Sequence, residues 1–261
     1  MLHIGTSGFS YDDWVGPFYP EGLNKRDFLR FYAQEFSTCE LNFTYYRIPD
    51  VRTLEAMAAK TPDRFLFTLK ANREMTHERE DTERAFAQFV AALDPLIQAE
   101  KLGCILLQFP WGFKNTPQNR DYLKLCRERL GKPRTGTVLP AVVEFRNREW
   151  ITDETFELLR KLGMGFCCVD QPRFRSLIPP IAETTSKVAY VRFHGRNAAK
   201  WWKHDQAWER YDYTYSEEEL KEWVPKIQKL ESEAQDAYIF TNNHYQGQAV
   251  NTARQLRMLL G

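Results

Sequence analysis

Side chains that could do chemistry stand at regular places in this sequence, at the ends of short apolar segments. Carboxylates, imidazoles and amines at such places could transfer protons, bind a divalent metal or hold an anion. The polar groups at these ends are, in chain order, Thr6, Ser7, Glu40, Asn42, Lys70, Gln108, Glu144, Arg146, Asp170, Arg192, His194, Asn242 and Asn243. Several are two residues apart, which places both on one face of an extended strand. Any one of them could be an ordinary solvated strand end, but the set predicts a ring of polar groups around one pocket.

Acid–base catalysis is one chemistry that this set could support. Glu144 is the first candidate for the acid–base residue, with Glu40, Asp170 and His194 in support. Glu40 and Glu144 belong to different segments and could flank a glycosidic or phosphoester bond as general acid and general base. The sequence does not give the distance between the two carboxylates. Salt bridges to neighbouring basic residues would explain their presence equally well.

A divalent metal is a second chemistry, and the sequence leaves it open. Glu144, Asp170 and His194 end three successive segments and could bind Zn²⁺ or Mn²⁺ while leaving a coordination position free. However, the five histidines form no H-x-H or H-E-x-x-H arrangement. The alternative is therefore a core histidine that is hydrogen-bonded to a neighbouring acid.

Basic and amide side chains in the same set predict a site for an anion. Lys70, Arg146 and Arg192 could offset the charge of an anionic substrate. The other predicted substrate-binding residues are Asn42, Gln108, Asn242, Asn243, Arg196, Trp201 and Trp202. The same cations could instead pair with the acids in a purely structural interior, or hold one carboxylate ready for proton transfer.

A phosphate-binding position is predicted after the seventh and eighth segments, where barrel enzymes often hold phosphate. The residues available there are His194-Gly195-Arg196 and Asn242-Asn243, followed by Gly247 before a helix. The free amides of that helix N-terminus would attract an anion. Alternatively, the two glycines only permit turns.

The segment Arg196–Tyr215 interleaves basic and aromatic side chains. Between Asp170 and Arg210, basic residues outnumber acidic ones eight to four, although the whole chain carries a net charge of only +1. Cations among aromatic rings suit single-stranded nucleic acid, nucleotides or sugars. An aromatic lid that packs on the rest of the molecule is the alternative.

Eight apolar, strand-sized segments alternate with amphipathic helices. The predicted strands are Leu2–Thr6, Thr38–Tyr45, Phe65–Lys70, Gly103–Phe109, Ala141–Phe145, Gly165–Asp170, Val188–His194 and Ala237–Asn242. Near-continuous apolar runs are typical of parallel strands covered by helices. Eight units of about 33 residues predict an α/β protein, a single (β/α)8 TIM-like barrel domain over residues 1–261. An open doubly wound sheet is the competitor, but its glycine fingerprint is absent from Gly5-Thr6-Ser7-Gly8.

The predicted helices carry their own boundary signals. Helix starts are expected at Asn24, Asp50, Asp81 or Thr82, Thr116, Thr152 and Ser216, and a last helix over Gln248–Leu260. Pro95 should kink or divide the helix that contains it. Gln171–Lys187, with three prolines, predicts an irregular sixth unit without a clear helix, and the aromatic-rich segment is an insertion after the seventh strand.

Several motifs together resemble one known family. They are Thr6-Ser7-Gly8-Phe9-Ser10-Tyr11, Glu40–Arg47, Met75-Thr76-His77, Val143-Glu144-Phe145-Arg146, Arg192-Phe193-His194-Gly195, and Asn242-Asn243 with Gly247 and Asn251. In this order they resemble the family catalogued as domain of unknown function 72, the YecE-like proteins. The resemblance spans nearly the whole chain and implies a TIM-barrel fold, but it implies no settled biochemistry.

Composition excludes several classes of protein. The longest apolar runs are far shorter than the roughly 20 residues that span a bilayer, so no membrane association is expected. The first residues lack a basic stretch followed by an apolar run, and five unpatterned cysteines favour a reducing compartment, so a cytoplasmic location is predicted. No protein partner is evident. The sequence therefore favours an enzyme of the TIM-barrel type, a hydrolase or isomerase, acting on a sugar phosphate, nucleotide or other anion; the alternative is a non-catalytic protein that binds short nucleic acids through residues 196–215.

Overall fold

Eight parallel strands close into a barrel in the computed structural model, which describes residues 1–131 and 138–261. The strands follow chain order around the barrel, and the last pairs with the first. They are β1 Leu2–Ser7, β2 Thr38–Leu41, β3 Leu66–Lys70, β4 Leu102–Gln108, β5 Ala141–Glu144, β6 Gly165–Asp170, β7 Val188–Phe193 and β8 Asp236–Thr241. The predicted α/β barrel is confirmed. Because all strands are parallel, their carboxyl ends meet at one face of the barrel.

Helices surround this barrel. They are α1 Phe28–Glu35, α2 Phe43–Tyr46, α3 Val51–Ala59, α4 Thr82–Ala92, α5 Asp94–Gln98, α6 Pro117–Leu130, α7 Asp153–Leu162, α8 Glu217–Lys221, α9 Val224–Glu233 and α10 Gln248–Leu260. Short 3-10 turns occur at Asp12–Trp14, Lys25–Asp27, Arg148–Trp150, Ala207–Tyr211 and Tyr245–Gly247, and one π-turn at Glu74–Glu78. Asp50, Thr116, Thr152 and Ser216 each accept a hydrogen bond from a first-turn amide, as predicted for N-caps. The interval 171–187 contains no helix.

Two predicted elements were wrong in extent. The predicted strand Thr38–Tyr45 ends at Leu41, and the aromatic residues beyond it form α2. A tertiary contact overrides their strand propensity. The Thr44 hydroxyl donates its one proton to the carbonyl of Lys70, with the carbonyl of Leu41 also within reach, and so turns the chain across the barrel end.

The apolar spacing of Leu220, Trp223, Val224 and Ile227 predicts one continuous helix after Ser216, and this helix is also shorter than predicted. It divides into α8 and α9 between Lys221 and Val224. Pro225 lies in the first turn of α9, where its missing amide costs no hydrogen bond. The proline therefore starts a second helix instead of continuing the first.

Aromatic side chains fill much of the space between the barrel and its helices. Trp14, Trp150 and Trp223 are fully buried, and each indole N–H has an acceptor: the carbonyls of His244 and Phe113 and the carboxylate of Asp170, respectively. Satisfied donors let these large rings be buried without leaving an unpaired polar group. Within the described residues, no helix combines the length and apolarity needed to cross a bilayer.

Candidate functional site

A buried ion-pair cluster crosses the inside of the barrel near the carboxyl ends of the strands. Arg192 on β7 donates to Glu40 on β2 (Nη2 to Oε1, 2.7 Å) and to Glu144 on β5 (Nη1 to Oε2, 2.6 Å). Tyr190, two residues earlier on the same face of β7, donates its hydroxyl to the other Glu40 oxygen at 2.7 Å. All three charged side chains are at most 2% exposed. One guanidinium therefore holds two carboxylates in place.

Glu144 is the most heavily bonded member of this cluster. Its Oε1 lies 2.8 Å from Arg146 Nε and 3.1 Å from His194 Nε2, in addition to the contact with Arg192. Burial alone would raise the pKa of Glu144, but Arg146, Arg192 and His194 together hold that pKa well below its usual value. A carboxylate in this environment stays ionised and has its oxygens occupied, so its geometry suits holding the two arginines rather than exchanging protons.

His194 is a neutral member of the cluster. The Asn242 amide donates to Nδ1 at 3.0 Å, which leaves Nε2 as the protonated nitrogen that donates to Glu144. Burial and the nearby Arg146 lower the pKa of His194 to about 3, because a third cation here would be desolvated and repelled. With His194 neutral, the positive charges of Arg146 and Arg192 balance the negative charges of Glu40 and Glu144.

The neutral state of His194 predicts a loss of stability in mild acid. The unfolded chain binds a proton on this residue near pH 6.5, whereas the folded state resists it until about pH 3. The contribution of His194 to the free energy of unfolding is therefore fully present above about pH 6.5, and it is lost as the pH falls from there towards about pH 3. We expect the free energy of unfolding to fall by about 2 kcal/mol from this residue between about pH 7 and pH 5, measured by urea denaturation. His77, with a pKa lowered by burial to about 4, acts in the same direction.

The variant His194→Gln separates the contribution of His194 to the pH dependence of stability from that of His77. It should remove about 2 kcal/mol of the pH dependence and leave the rest. An unchanged slope in this variant would show that His194 is protonated in the folded state at pH 5.

Lys70 stands apart from this balanced cluster. It ends β3, and among the described residues no carboxylate oxygen lies within 4.0 Å of its amine, since Glu40 and Glu144 are bound by the arginines. Its Nζ lies over the Tyr45 ring, 4.2 Å from the centroid. Burial and the positive charges of Arg192 and Arg146, only partly offset by Glu144 and Glu40, lower the pKa of Lys70 to about 7.

Two adjoining cavities open at this end of the barrel, and we call them together the barrel mouth. The larger, of about 400 Å³, has Phe9, Tyr11, Asn42, Phe43, Asn242 and His244 in its wall. The smaller, of about 290 Å³, has His77, Gln108, Trp111, Trp201, Trp202 and Arg210 in its wall. Tyr45, Lys70, Arg146 and Tyr211 line both. A ligand in the barrel mouth would thus meet cations at its centre and aromatic rings on either side.

Gly8 shapes the larger cavity. Its φ of +88° is left-handed, and a side chain there would collide with the Tyr11 hydroxyl, 2.5 Å from the Cβ position. The Gly8 amide donates to the Glu40 carbonyl at 2.7 Å, which turns the chain closely after β1. The sharp turn keeps Tyr11 beside the cavity.

Most predicted site residues come together here, in two layers. Lys70, Arg146, Arg192, Asn42, Gln108, Asn242, Trp201 and Trp202 line the barrel mouth. Glu40, Glu144 and His194 are fully buried and contact the arginines or Asn242 of that lining. The carboxylates therefore set the positions of the cations.

Asp170 and Arg196 lie in a different cluster. The Asp170 carboxylate accepts two hydrogen bonds from Arg196, at 2.9 and 2.8 Å, and one each from Tyr215 and Trp223. Arg196 also pairs with Glu219 and Glu222. The prediction that both residues contribute to the site thus finds no support, because their charged groups are occupied in joining the insertion to α8.

The three predicted metal ligands do not converge. Glu144 contacts His194, whereas Asp170 is bound by the partners just described. Over residues 1–131 and 138–261, no group of three His, Cys, Asp or Glu side chains has an arrangement that could hold a metal ion. The Nε2 of His194 is moreover committed to Glu144 and Nδ1 to Asn242, so the ring offers no lone pair to a metal.

At the predicted phosphate position after β7 and β8, several of the available donors already have partners in the protein. The Gly195 amide donates to the Tyr215 hydroxyl, and the Gln246 amide, ahead of α10, donates to Asp13 Oδ2 at 2.7 Å. Asn243 points its amide at the Tyr213 carbonyl and the Thr252 hydroxyl. A carboxylate therefore already stands near this helix start.

The basic-aromatic segment Arg196–Tyr215 packs on the barrel. Trp201 is only 3% exposed, and the Arg146 and Arg210 guanidiniums approach its ring. Lys200 pairs with Glu209. Within the segment, the charge of Lys200 is thus neutralised, while that of Arg196 is neutralised by acids outside it. The segment forms one wall of the smaller cavity.

Several lining residues were not among the predicted site residues. They are Phe9, Tyr11, Phe43, Tyr45, His77, Trp111, Arg210, Tyr211 and His244. Tyr45 and His77 belong to motifs that carried the family resemblance, and their edge-to-face contact, with centroids 5.0 Å apart, joins α2 to the π-turn. Nothing local distinguishes Tyr45 and His77 from core residues, so only their place in the motifs could have indicated them. Arg210 and Tyr211, in contrast, lie in the basic-aromatic segment that the sequence had already indicated.

The chain is similar to known proteins along its whole length. Residues 3–261 match the family described as protein of unknown function DUF72. The UPF0759 protein YunF of Bacillus subtilis (strain 168) is 30% identical over 276 residues, covering 100% of this chain and 95% of that protein. The crystal structure of a DUF72 family protein from Thermotoga maritima MSB8 is 40% identical, with a TM-score of 0.89 and coverage of 100% and 99%. One from Enterococcus faecalis V583 is 26% identical, with a TM-score of 0.87 and coverage of 100% and 95%. These matches confirm the resemblance inferred from the motifs.

Proposed function

The chain belongs to the DUF72 family of proteins of unknown function, and because that membership assigns no reaction, we propose a function from the geometry of the barrel mouth. The protein is an enzyme, a single domain over residues 1–261, that acts on a small anionic ligand carrying a flat or apolar group. A sugar phosphate or a nucleotide-like compound has this chemistry. The anion lies at Lys70, and the aromatic walls of the two cavities hold the rest of the ligand.

The unpaired amine of Lys70 is the observation that carries this proposal. The buried charges around it already balance, so the protonated lysine leaves one positive charge facing the cavity without a carboxylate partner in the described chain. An anion that enters the barrel mouth would supply the missing charge. Arg146, which lines both cavities, stands beside Lys70 as a second donor.

Lys70 is also a better acid–base residue than Glu144. A group transfers protons most effectively when its pKa lies near the working pH, and the pKa of Lys70 is about 7. Glu144 has a pKa held well below its usual value and is enclosed by three donors. We therefore assign proton transfer to Lys70 and give Glu144 the task of positioning Arg146 and Arg192.

Short nucleic acid is the second candidate partner that the sequence suggested. Its support is the exposed indole of Trp202, 51% accessible, at the edge of the smaller cavity. The pairing of Lys200 with Glu209, and of Arg196 with Asp170, leaves less charge for a phosphate backbone than the sequence indicates. We therefore favour the small anion.

Sulfate binding at several pH values tests the proposal. Sulfate keeps its charge from pH 6 to 8.5, so a change in its affinity reports on the protein. Lys70 is protonated below about pH 7 and neutral above, and we expect the affinity to fall about tenfold from about pH 6 to about pH 8.5. Isothermal titration calorimetry at constant ionic strength measures it. Sulfate affinity that is absent, or independent of pH, would contradict the placement of the anion at Lys70.

A further inference from the structure

We infer that Lys70 reacts covalently, by forming an imine with an aldehyde or ketone group of the anionic ligand. This inference rests on the proposed function, because the bound anion is what brings the carbonyl carbon to the amine. It goes further in naming the substrate class: a carbonyl compound that also carries a phosphate or carboxylate. It also gives the lysine a reaction beyond binding and proton transfer.

The position of Lys70 suits a nucleophile. Its backbone is fixed at the end of β3, where its carbonyl accepts a hydrogen bond from the Thr44 hydroxyl. Its side chain lies at the junction of the two cavities, and the amine has no carboxylate within ion-pair distance among the residues described. A ligand carbonyl can therefore approach the amine without first breaking a salt bridge. Arg146, in the same two walls, can hold the ligand's anion beside it.

Burial, together with the charged groups around Lys70, supplies the neutral amine that the reaction needs. Arg192 on β7 and Arg146 on β5 oppose protonation, while Glu144 on β5 and Glu40 on β2 favour it. Tyr45 on α2 faces the amine with its ring, and His77 in the π-turn is neutral at ordinary pH. The outcome is an amine that is about half unprotonated near pH 7 and mostly unprotonated above it, whereas an exposed lysine has a pKa of about 10.4. Burial beside other cations is a recognised way to activate a lysine.

The proposed step balances without any further reagent. The nitrogen lone pair of Lys70 attacks the carbonyl carbon and forms a C–N bond, and the carbonyl oxygen becomes a hydroxyl group. That hydroxyl leaves as water when the nitrogen loses its second proton and forms the C=N bond. Overall, one amine and one carbonyl yield one imine and one water, with no oxidant or reductant. The imidazole of His77, in the wall of the smaller cavity, can relay the proton.

Trapping the imine by reduction tests the inference on the unaltered protein. Pyridoxal 5′-phosphate and glyoxylate serve as probes, since each joins an aldehyde to an anionic group. The protein is incubated with each probe at neutral pH, reduced with sodium borohydride and digested, and the modified lysine is located by mass spectrometry. We expect Lys70 to be labelled about tenfold or more faster than Lys124, an exposed residue of α6, and sulfate to slow the labelling of Lys70 only.

A conservative variant and a separate binding measurement complete the test. Lys70→Arg keeps the positive charge but cannot form the imine, so it should lose the fast labelling phase and still bind sulfate. If Lys70 is labelled no faster than Lys124 while sulfate binds with the expected pH dependence, the inference is wrong and the proposed function stands. If sulfate does not bind either, the proposed function fails as well.

Discussion

Replacing Arg192 with methionine should lower the free energy of unfolding by about 3 to 5 kcal/mol. The change removes the guanidinium that binds Glu40 and Glu144. Both carboxylates are 0% exposed, so their negative charges would stay buried with fewer positive charges and hydrogen-bond donors around them. The loss of stability arises because a buried charge without a partner is removed from water, and no ion pair or hydrogen bond offsets the lost hydration. Equilibrium denaturation in urea at pH 7 measures it.

Arg84→Met is the matched control for this variant. Arg84 also contacts two carboxylates, those of Glu74 and Asp81, but at 3.9 Å and with its own side chain 65% exposed. Solvent screens such pairs, so the control should lose less than about 1 kcal/mol. Similar losses in the two variants would show that the cluster around Arg192 is not a stabilising unit.

Replacing Lys70 with methionine should weaken sulfate binding about 10- to 100-fold and leave stability unchanged or higher. A charge-assisted hydrogen bond and the attraction of the ammonium are lost from the ligand site. The folded protein meanwhile loses a cation that is held beside Arg146 and Arg192 and has no carboxylate partner in the described chain. Calorimetry measures the first effect, and urea denaturation measures the second.

Lys70→Arg is the comparison that separates charge from shape. It retains a permanent cation, so sulfate binding should persist and become independent of pH from about pH 6 to 8.5. A Lys70→Met variant that is strongly destabilised would contradict the assignment, because it would mean that the lysine is a structural residue. Undiminished sulfate affinity in Lys70→Met would place the anion elsewhere.

These two predictions distinguish two kinds of charge within one site. Arg192 is satisfied by the protein, and its removal is expected to damage the fold. Lys70 is left for a ligand, and its removal is expected to damage binding alone. Stability and function often conflict in this way at sites where a charged group is kept without a counter-ion until a substrate arrives.

Much of the fold could be predicted because its signals are local. Apolar segments of strand length alternate with helices that have their own caps, and the barrel closes in chain order. The prediction failed where a distant contact overrode local preference. Phe43–Tyr46 has the composition of a strand, but the bond from Thr44 to the Lys70 carbonyl, 26 residues away, makes it a helical turn.

Most residues of the candidate site could be predicted from the sequence, but the ion pairs and hydrogen bonds among them could not. The two-residue period placed Arg192 and His194 on one strand face, and both do face the cluster. Asp170 also ends its strand, but Arg196, Tyr215 and Trp223 take up its carboxylate. Which partner a charged group finds depends on loops that return from far along the chain, and a strand pattern carries no information about them.

The amino-acid sequence alone determines the family, the eight-stranded barrel and the ring of polar side chains at the strand ends, because periodicity and capping act between residues close in the chain. The tertiary structure decides which charges cancel. Arg192 meets Glu40 across 152 positions of sequence, and with Glu144 also taken by the arginines, Lys70 is left without a carboxylate partner in the described residues. Removal from water makes such pairing decisive, since an ion pair that is weak at the surface becomes strong in the interior. The Lys70 amine, which has no such partner in the described chain, has a lowered pKa.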